Sequence, residues 1–362
     1  MTNTEQAGIM TAHHSPHETM RYSTADALPQ HTPMTVTFRG GHPENIHHGS
    51  VAVVSREGHL LAWAGDVESP LFTRSALKPF QAMPLLAQAK ERYQLSDEDM
   101  ALLCASHNGE PQHTQRAASL LARSGAAESD LLCGSHVPYF YSMNQRPVPA
   151  GAVFGRLHHN CSGKHSGMLL LAHALGADTQ AYVNPAHPVQ VAIRDSVAHF
   201  SGVSTDALIT GTDGCSAPNY ALPLRRLAWA FARLTDPKPD PVYGTAPFAA
   251  AQAMSRHPEL VSGEGRNDLS LMRAGQGDWV SKVGADGVQA MASFSRGIGI
   301  AAKCADGQLA PLMLGLVSVL EQLGWLDDAT REALAVFVPP PMKNAAGHEV
   351  GEQRAVWRLH TA

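Results

Sequence analysis

Strand-like segments near both ends of the chain, with helical segments between them, constrain the fold more than any other feature of this sequence. Residues 49–54 and 60–63 have the pattern of a hairpin with a glycine in the connecting loop. Residues 279–283 and 297–302 have the pattern of strands again. The region between is dominated by helical patterns, such as the amphipathic residues 224–233. We therefore predict an α+β fold in which the strands from both ends share one sheet.

The first forty residues differ in character from the rest of the chain. Residues 1–40 are polar and rich in histidine, and they show no hydrophobic period. We predict a disordered or loosely attached extension there and a single domain over residues 41–362. The alternative is an arm that crosses a dimer interface. The extension lacks the basic and then apolar stretches of a secretory signal.

Charge and hydropathy argue against several classes of protein. We find no run of roughly eighteen or more apolar residues, so no membrane span is predicted. The net charge is -5 and no stretch concentrates lysine and arginine, so nucleic acid is not an expected partner. The five cysteines are odd in number and no export signal accompanies them, which predicts free thiols and a cytoplasmic location.

The segment RSALKP, residues 74–79, contains an S-x-x-K motif. Positions i and i+3 share a face at the start of a helix, so the Ser75 hydroxyl and the Lys78 amine are predicted to meet. A buried lysine with a lowered pKa can take the hydroxyl proton and create a nucleophile. The ordinary alternative is an exposed helix face, because serine and lysine are common residues.

Other segments carry residues suited to the same chemistry. Ser106 lies in a turn of small and polar residues that follows a short apolar run. Lys282 lies on a predicted strand, similar to the K-T-G strand that accompanies S-x-x-K in penicillin-binding enzymes. Arg266 and Asp268, in a glycine-rich loop, are candidate clamps for the carboxylate and ammonium of an amino acid. The ordinary alternatives are a helix-to-loop transition, a salt-bridged surface strand and a solvated loop.

Two segments together offer a candidate metal site made of Cys161, Lys164, Asp213 and Cys215. Zinc accepts cysteine and aspartate ligands in tetrahedral sites. The spacing alone is a poor zinc signature, however, because a lysine must be neutral to bind a metal. Buried structural thiols are the ordinary alternative.

Six segments, in this order, form a combination that is highly specific for one protein family: RSALKP, CASHNGE, NCSGKHSGM, GTDGCSAP, HPELVSGEGR and KVGADG. Together they resemble the asparaginase II family, the class 3 or rhizobial-type L-asparaginases, from about His47 to about Leu323. The resemblance implies a fold similar to serine β-lactamases and serine-dependent glutaminases, with an antiparallel sheet flanked by helices beside a mainly helical part. It also implies a homodimer. Asn108 and Gly109 depart from the small hydroxylic residues that relatives commonly carry there.

The resemblance also implies roles for individual residues. The two Ser–Lys tandems of the family correspond to Ser75 with Lys78 and to Ser106 with Lys282. The zinc ligands of the family correspond to Cys161, Lys164, Asp213 and Cys215. The implied zinc organises the site and does not deliver the nucleophile.

These implications predict an L-asparagine amidohydrolase that acts through a covalent acyl-enzyme. Ser75 is the predicted nucleophile with Lys78 as its base, and Ser106 with Lys282 forms a relay. An exchange of the roles of Ser75 and Ser106 is the nearest alternative. One alternative function is a glutaminase or other small-amide hydrolase on the same fold, since one extra methylene in the substrate changes the discrimination between asparagine and glutamine by only about 1–3 kcal/mol. The other alternative is a non-catalytic metal-binding relative.

Overall fold

A computed structural model describes residues 28–362 and contains a large antiparallel sheet with helices on both faces. The strands are, in chain order, β1 (Thr32–Arg39), β2 (His42–Ser55), β3 (Leu60–Ala64), β4 (Pro70–Phe72), β5 (Ile209–Thr212), β6 (Pro218–Pro223), β7 (Trp279–Gly284), β8 (Val288–Ser293), β9 (Ile298–Cys304), β10 (Met342–Lys343), β11 (Glu349–Ala355) and β12 (His360–Thr361). Nine of these form the large sheet, and β4, β6 and β5 form a small one.

The helices lie mainly between the two groups of strands. They are, in chain order, α1 (Lys78–Ala89), α2 (Asp97–Leu103), α3 (Pro111–Ser124), α4 (Tyr139–Met143), α5 (Ser162–Leu175), α6 (Pro188–Ser201), α7 (Leu224–Leu234), α8 (Ala246–Arg256), α9 (Pro258–Val261), α10 (Asn267–Ala274), α11 (Leu309–Gln322) and α12 (Asp328–Ala333). A single 3-10 turn, Arg74–Leu77, precedes α1. Among the described residues, no helix combines the length and apolar character needed to cross a bilayer.

The large sheet joins strands from both ends of the described chain. Its order is β10-β11-β1-β2-β9-β8-β7, with β3 on β2 and β12 on β3, and every pair is antiparallel. The prediction that the strands from both ends share one sheet is therefore confirmed.

One predicted boundary needs correction. Strand β1, Thr32–Arg39, falls inside residues 1–40, which the sequence assigned to an extension. It pairs with β2 on one side and β11 on the other, so it belongs to the folded domain. The rest of the predicted extension, residues 1–27, lies outside the described residues.

The central strand β2 separates two hydrophobic clusters. Its alternate residues Ala52 and Val54 contact the cluster that includes α7 and the helical middle, whereas Val51 and Val53 contact the cluster that includes α11. This follows from the period of two along a strand, which points successive side chains to opposite faces. The strand is therefore buried on both faces, and the adjoining strands β9, β8 and β7 extend the sheet toward the helical middle.

Candidate active site

Ser75 lies in the 3-10 turn between β4 and α1, and the backbone there is held in an unusual conformation. The preceding residue, Arg74, has a φ of 52°, in the left-handed region that residues other than glycine rarely adopt. The turn is fixed by hydrogen bonds from the Arg74 N–H to Asn219 Oδ1, at 3.1 Å, and from Thr73 Oγ1 to the Tyr220 carbonyl, at 2.8 Å. Such strain persists where surrounding contacts impose it, and it concentrates at functional sites.

The side chain of Arg74 joins two parts of the site. Its Nε donates to Asp213 Oδ1 at 2.8 Å, and its Nη1 forms an ion pair with Asp286. Asp213 belongs to the candidate metal ligands, whereas Asp286 lines the same pocket as Ser75. The arginine therefore couples the metal-ligand cluster to the rim of the pocket.

Lys78 is fully buried in the first turn of α1, and its amine contacts the second predicted serine. Nζ lies 2.8 Å from Ser106 Oγ and donates to the carbonyls of Ala105, at 2.6 Å, and Asn160, at 3.3 Å. Burial lowers the pKa of the Lys78 ammonium, because desolvation disfavours its charge. A neutral lysine in this position can accept a proton from the hydroxyl of Ser106.

Ser75 and Lys78 are not joined as the motif predicted. Among residues 28–362, Ser75 Oγ has no hydrogen-bond partner, and the amine of Lys78 turns to Ser106 instead. Ser75 follows the left-handed Arg74 and is half-buried, whereas Lys78 begins α1 and is fully buried, so its amine reaches the interior groups of Ala105 and Ser106. Both serines nevertheless line one pocket.

Lys282 is fully buried on β7 and forms an ion pair within the protein interior. Its Nζ donates to the Val283 carbonyl at 2.9 Å and lies 3.4 Å from Asp268 Oδ2. The pKa of Lys282 is lowered to about 7, mainly because the ammonium group is buried. The Asp268 carboxylate opposes this lowering, whereas the positive charge of Lys78 adds to it. Among the described residues, no hydrogen bond joins Lys282 to Ser106, the partner that the family tandem implied.

The position of Asp268 corrects its predicted role. Its carboxylate has no exposure and accepts hydrogen bonds from Ser281 Oγ, at 2.9 Å, from the Val283 N–H, at 3.0 Å, and from Gln289 Nε2, at 2.9 Å. It does not line the pocket that contains Ser75. Asp268 therefore holds Lys282 and does not reach a substrate there, because α10 begins one residue earlier and turns it toward β7.

The pocket around the serines carries charged groups of both signs. Apart from Ser75 and Ser106, it is lined by Tyr139, Met143, Asn160, Arg266, Asn267, residues 283–287, Gly307 and Leu309. Arg266 stacks its guanidinium 5.1 Å from the centre of the Tyr139 ring and donates to Asn108 Oδ1 at 3.2 Å. Asp286 supplies the acidic side chain that the sequence had assigned to Asp268.

The four candidate metal ligands lie together behind this pocket. The ligand atoms of Cys161, Asp213 and Cys215 all lie within 4.8 Å of one another. Lys164 Nζ is 3.0 Å from Cys215 Sγ, which is 3.3 Å from Asp213 Oδ2. Hydrogen bonding with Cys215 lowers the pKa of Cys161. The charge of Cys161 opposes the effect of burial on Lys78, but burial is the larger cause and the pKa of Lys78 remains lowered.

The four side chains can bind a zinc ion provided that Lys164 loses its proton. Two sulfurs and one carboxylate oxygen are the ligands that zinc prefers. Burial lowers the pKa of the Lys164 ammonium, but the nearby thiols and Asp213 outweigh burial and raise it, so without a metal Lys164 is the counter-ion of the cluster. Lysine becomes a ligand only when a cation replaces its proton.

His165 lies beside this cluster, but the sequence did not predict it as a site residue. His165 is fully buried, and its Nε2 has no hydrogen-bond partner among the described residues. Its other ring nitrogen, Nδ1, lies 2.7 Å from the Tyr182 hydroxyl, and the ring interacts with Cys215. His165 belongs to the NCSGKHSGM segment, so its position in that segment was the available signal.

Comparisons with known proteins assign the chain to the amide hydrolases. It belongs to the L-asparaginase II family, whose sequence profile matches residues 35–355. The resemblance read from the six segments is therefore confirmed. A comparison with curated protein sequences returned no match.

A comparison with solved structures returned matches of low sequence identity. A β-lactamase from Mycobacterium bovis is 17% identical, with a TM-score of 0.43, over 76% of this chain and 94% of that chain. EstCE1, a hydrolase with promiscuous acyltransferase activity, is 12% identical, with a TM-score of 0.40, over 75% of this chain and 93% of that chain. The predicted fold class, α+β with an antiparallel sheet flanked by helices, is confirmed by the strands and helices of the described residues.

Proposed function

We propose that this protein hydrolyses the side-chain amide of L-asparagine to L-aspartate and ammonia. The observation that carries the proposal is the hydrogen bond between the buried amine of Lys78 and the hydroxyl of Ser106, in a pocket that Ser75 also lines. A lysine with a lowered pKa beside a hydroxyl is one arrangement that activates a serine for amide hydrolysis.

The charged groups of the pocket suit the ends of a small amino acid. Arg266 offers a guanidinium for the α-carboxylate, and its stacking on Tyr139 keeps the guanidinium plane oriented. Asp286, whose side chain is 70% exposed, offers a carboxylate for the α-ammonium. A substrate held at both ends presents its side-chain amide to the serines.

The proposed chemistry is acyl transfer to Ser75 followed by hydrolysis. Ser75 Oγ attacks the amide carbon while its proton passes through the Ser106 hydroxyl to neutral Lys78. The lysine returns this proton to the leaving nitrogen, so ammonia departs as the C–N bond breaks. Water then attacks the aspartyl ester and gives a proton to Lys78. The lysine returns this proton through Ser106 to Ser75 Oγ as the ester bond breaks, so L-aspartate leaves and both groups are restored. Ser75 is the nominated nucleophile because it is half-buried, whereas Ser106 is only 2% exposed.

One observation favours the exchanged assignment. Lys78 is hydrogen-bonded to Ser106 and not to Ser75, so Ser106 is the hydroxyl that a base already contacts. In that case Ser106 Oγ forms the ester and Ser75 carries the proton. The residue that bears the acyl group distinguishes the two assignments.

We also propose that Cys161, Asp213, Cys215 and a deprotonated Lys164 hold a zinc ion. When bound, zinc would supply a fixed positive charge that keeps both cysteines as thiolates. The residues of this chain position the serine: Asp213 orients the Arg74 side chain, and Arg74 lies in the turn that carries Ser75. We propose a homodimer as the assembly, which the mass in solution from light scattering checks.

The decisive experiment measures ammonia release from purified protein given L-asparagine, with L-glutamine in parallel. We expect asparagine to be the better substrate and Ser75→Ala to abolish release. Ser119→Ala, which changes an exposed serine on α3, is the matched control and should retain activity. Mass spectrometry of acid-quenched protein should find the added aspartyl group on the peptide with Ser75. Near-normal turnover by Ser75→Ala would reject this nucleophile, and release from neither amide would reject the proposed function.

A further inference from the structure

A second group of metal-ligating side chains lies on another part of the protein, where β9 ends next to β2. The imidazole of His47, the thiol of Cys304 and the carboxylate of Asp306 have ligand atoms that all lie within 4.8 Å of one another. His47 Nδ1 is 2.6 Å from Asp306 Oδ2, and Cys304 Sγ is 2.9 Å from Asp306 Oδ1. We propose that these three residues bind a divalent transition-metal cation such as zinc, at a site separate from that of Cys161, Asp213 and Cys215.

The sheet brings the three ligands together although they are distant in sequence. The register of β2 and β9 pairs Gly49 with Cys304, and the Ala305 N–H donates to the His48 carbonyl at 2.8 Å. The chain then turns, and the Asp306 carboxylate is anchored by the Gln308 N–H at 3.0 Å. Backbone hydrogen bonds therefore fix the positions from which the side chains converge.

The chemistry of the donors selects the cation. One nitrogen, one sulfur and one oxygen suit zinc or cobalt, whereas calcium and magnesium need several oxygen ligands. Three protein ligands leave a coordination position for water. Cys304 is fully buried, but the side chains of His47 and Asp306 are 21% and 46% exposed. A cation can enter from that exposed side, so this ion is exchangeable.

Binding is balanced by the loss of one proton. In the metal-free protein the Cys304 thiol donates to Asp306 Oδ1; when the sulfur binds the cation, this proton leaves to solvent. His47 binds through Nδ1, which donates to Asp306 when no cation is bound. Nδ1 therefore gives up its proton and Nε2 takes one from solvent, so the ring stays neutral and the net loss is the thiol proton. No oxidant or other reactant is needed.

The proposed site supports the wall of the serine pocket. The Cys304 N–H donates to the Gly287 carbonyl at 2.8 Å, and Gly287 and Gly307 both line the pocket. The two glycines are closely packed, because a Cβ on Gly287 would lie 3.0 Å from Gly307 Cα and from Cys304 Cβ. A cation that ties Cys304 and Asp306 to His47 therefore holds this wall against β2.

The test is a cobalt titration of the metal-stripped full-length protein, followed by its absorption spectrum. We expect Cys304→Ala and His47→Gln each to bind one equivalent per chain fewer than the unchanged protein. Cys304→Ala should also lose intensity in the thiolate-to-cobalt charge-transfer band. His48→Gln, which changes the exposed neighbouring histidine on the same strand, is the matched control and should bind as the unchanged protein does.

Equal stoichiometry and equal charge-transfer intensity in the unchanged protein and Cys304→Ala would overturn the proposal. Because the readout is a difference between variants, it holds whether or not the cluster around Cys161 also takes cobalt. If Cys304→Ala does not fold, as judged by circular dichroism, the partly exposed His47→Gln provides the same count. Asparagine turnover is not the readout, so this proposal and the proposed function can fail separately.

Discussion

Replacing Asp268 by asparagine tests the buried ion pair on which the state of Lys282 depends. Both side chains have no exposure, and their charged atoms are 3.4 Å apart, so solvent does not screen the interaction. Removing one partner of such a pair costs about 3–5 kcal/mol, because the other group must either remain charged without compensation or give up its proton. Asparagine keeps an acceptor for Ser281 Oγ, but its amide group faces the Val283 N–H, which is also a donor. We therefore expect a loss of about 4 kcal/mol in the free energy of unfolding near neutral pH.

The same substitution has a predicted effect on the pH dependence of activity. Burial lowers the pKa of Lys282 to about 7 even though the Asp268 carboxylate raises it. Without that carboxylate the pKa of Lys282 falls further, so the lysine stays neutral at lower pH. If neutral Lys282 is required for turnover, the acidic limb of the pH–rate profile moves to lower pH in Asp268→Asn.

Urea unfolding and ammonia release at a series of pH values measure the two effects. Asp278→Asn is the matched control: it removes the same charge just before β7, where the carboxylate accepts from Ser293 Oγ and the Ser295 N–H. We expect it to cost only about 1 kcal/mol, typical of a single hydrogen-bonded group, and to leave the pH–rate profile unchanged. If Asp268→Asn is as stable as the unchanged protein, the ion pair does not contribute to stability. If the acidic limb of the pH–rate profile does not move, Lys282 is not the group whose titration limits turnover.

The remaining predictions concern the lysines, the arginines and the metal ligands. Because the pKa of Lys282 is lowered to about 7 from an ordinary 10.5, the unfolded chain binds more protons between these values, and the free energy of unfolding should rise with pH from about 7 to about 10. Lys282→Met, followed by urea unfolding, should reduce that rise, and the part that remains comes from Lys78, whose pKa is also lowered. Arg74→Lys cannot contact both carboxylates and should lower kcat and cost about 2 kcal/mol of stability, whereas retained kcat and stability would contradict its coupling role. Arg266→Lys should raise KM for asparagine more than it changes kcat, and the opposite split would exclude Arg266 as the carboxylate ligand. Cys215→Ser should reduce bound zinc, measured by atomic emission after zinc loading and dialysis, and zinc content equal to that of the unchanged protein would exclude the proposed ligand set.

Much of the helical framework could be predicted because local signals define it. The amphipathic residues 224–233 correspond to α7, Leu224–Leu234, and helix α2 begins after a reciprocal cap between Ser96 and Asp99. Strand β1 was missed because its partners β2 and β11 bury it, and one of them comes from the far end of the chain. Strand β6 begins and ends with proline, and so reads locally as a loop.

The residues of the candidate site could be found by motif, but their pairing could not. The contact of Lys78 with Ser106 joins residues 28 positions apart, and the turn that carries Ser75 is held by the Arg74 contact with Asn219, 145 positions away. Likewise, Arg266 and Asp268 are two residues apart in sequence, yet only Arg266 lines the pocket, because the start of α10 separates their directions. Such distinctions depend on tertiary contacts.

The topology of the large sheet bears on how this protein is synthesised. Strand β2 lies at the middle of the sheet, yet it pairs with β9, so that Ser55 meets Ile298, and its neighbour β1 pairs with β11. A nascent chain on the ribosome must therefore keep β1 and β2 without these partners until nearly the whole polypeptide has emerged. Long-range pairing of this kind slows folding and leaves strand edges exposed meanwhile. Yield in cells should accordingly depend on chaperones that protect the amino-terminal strands during translation.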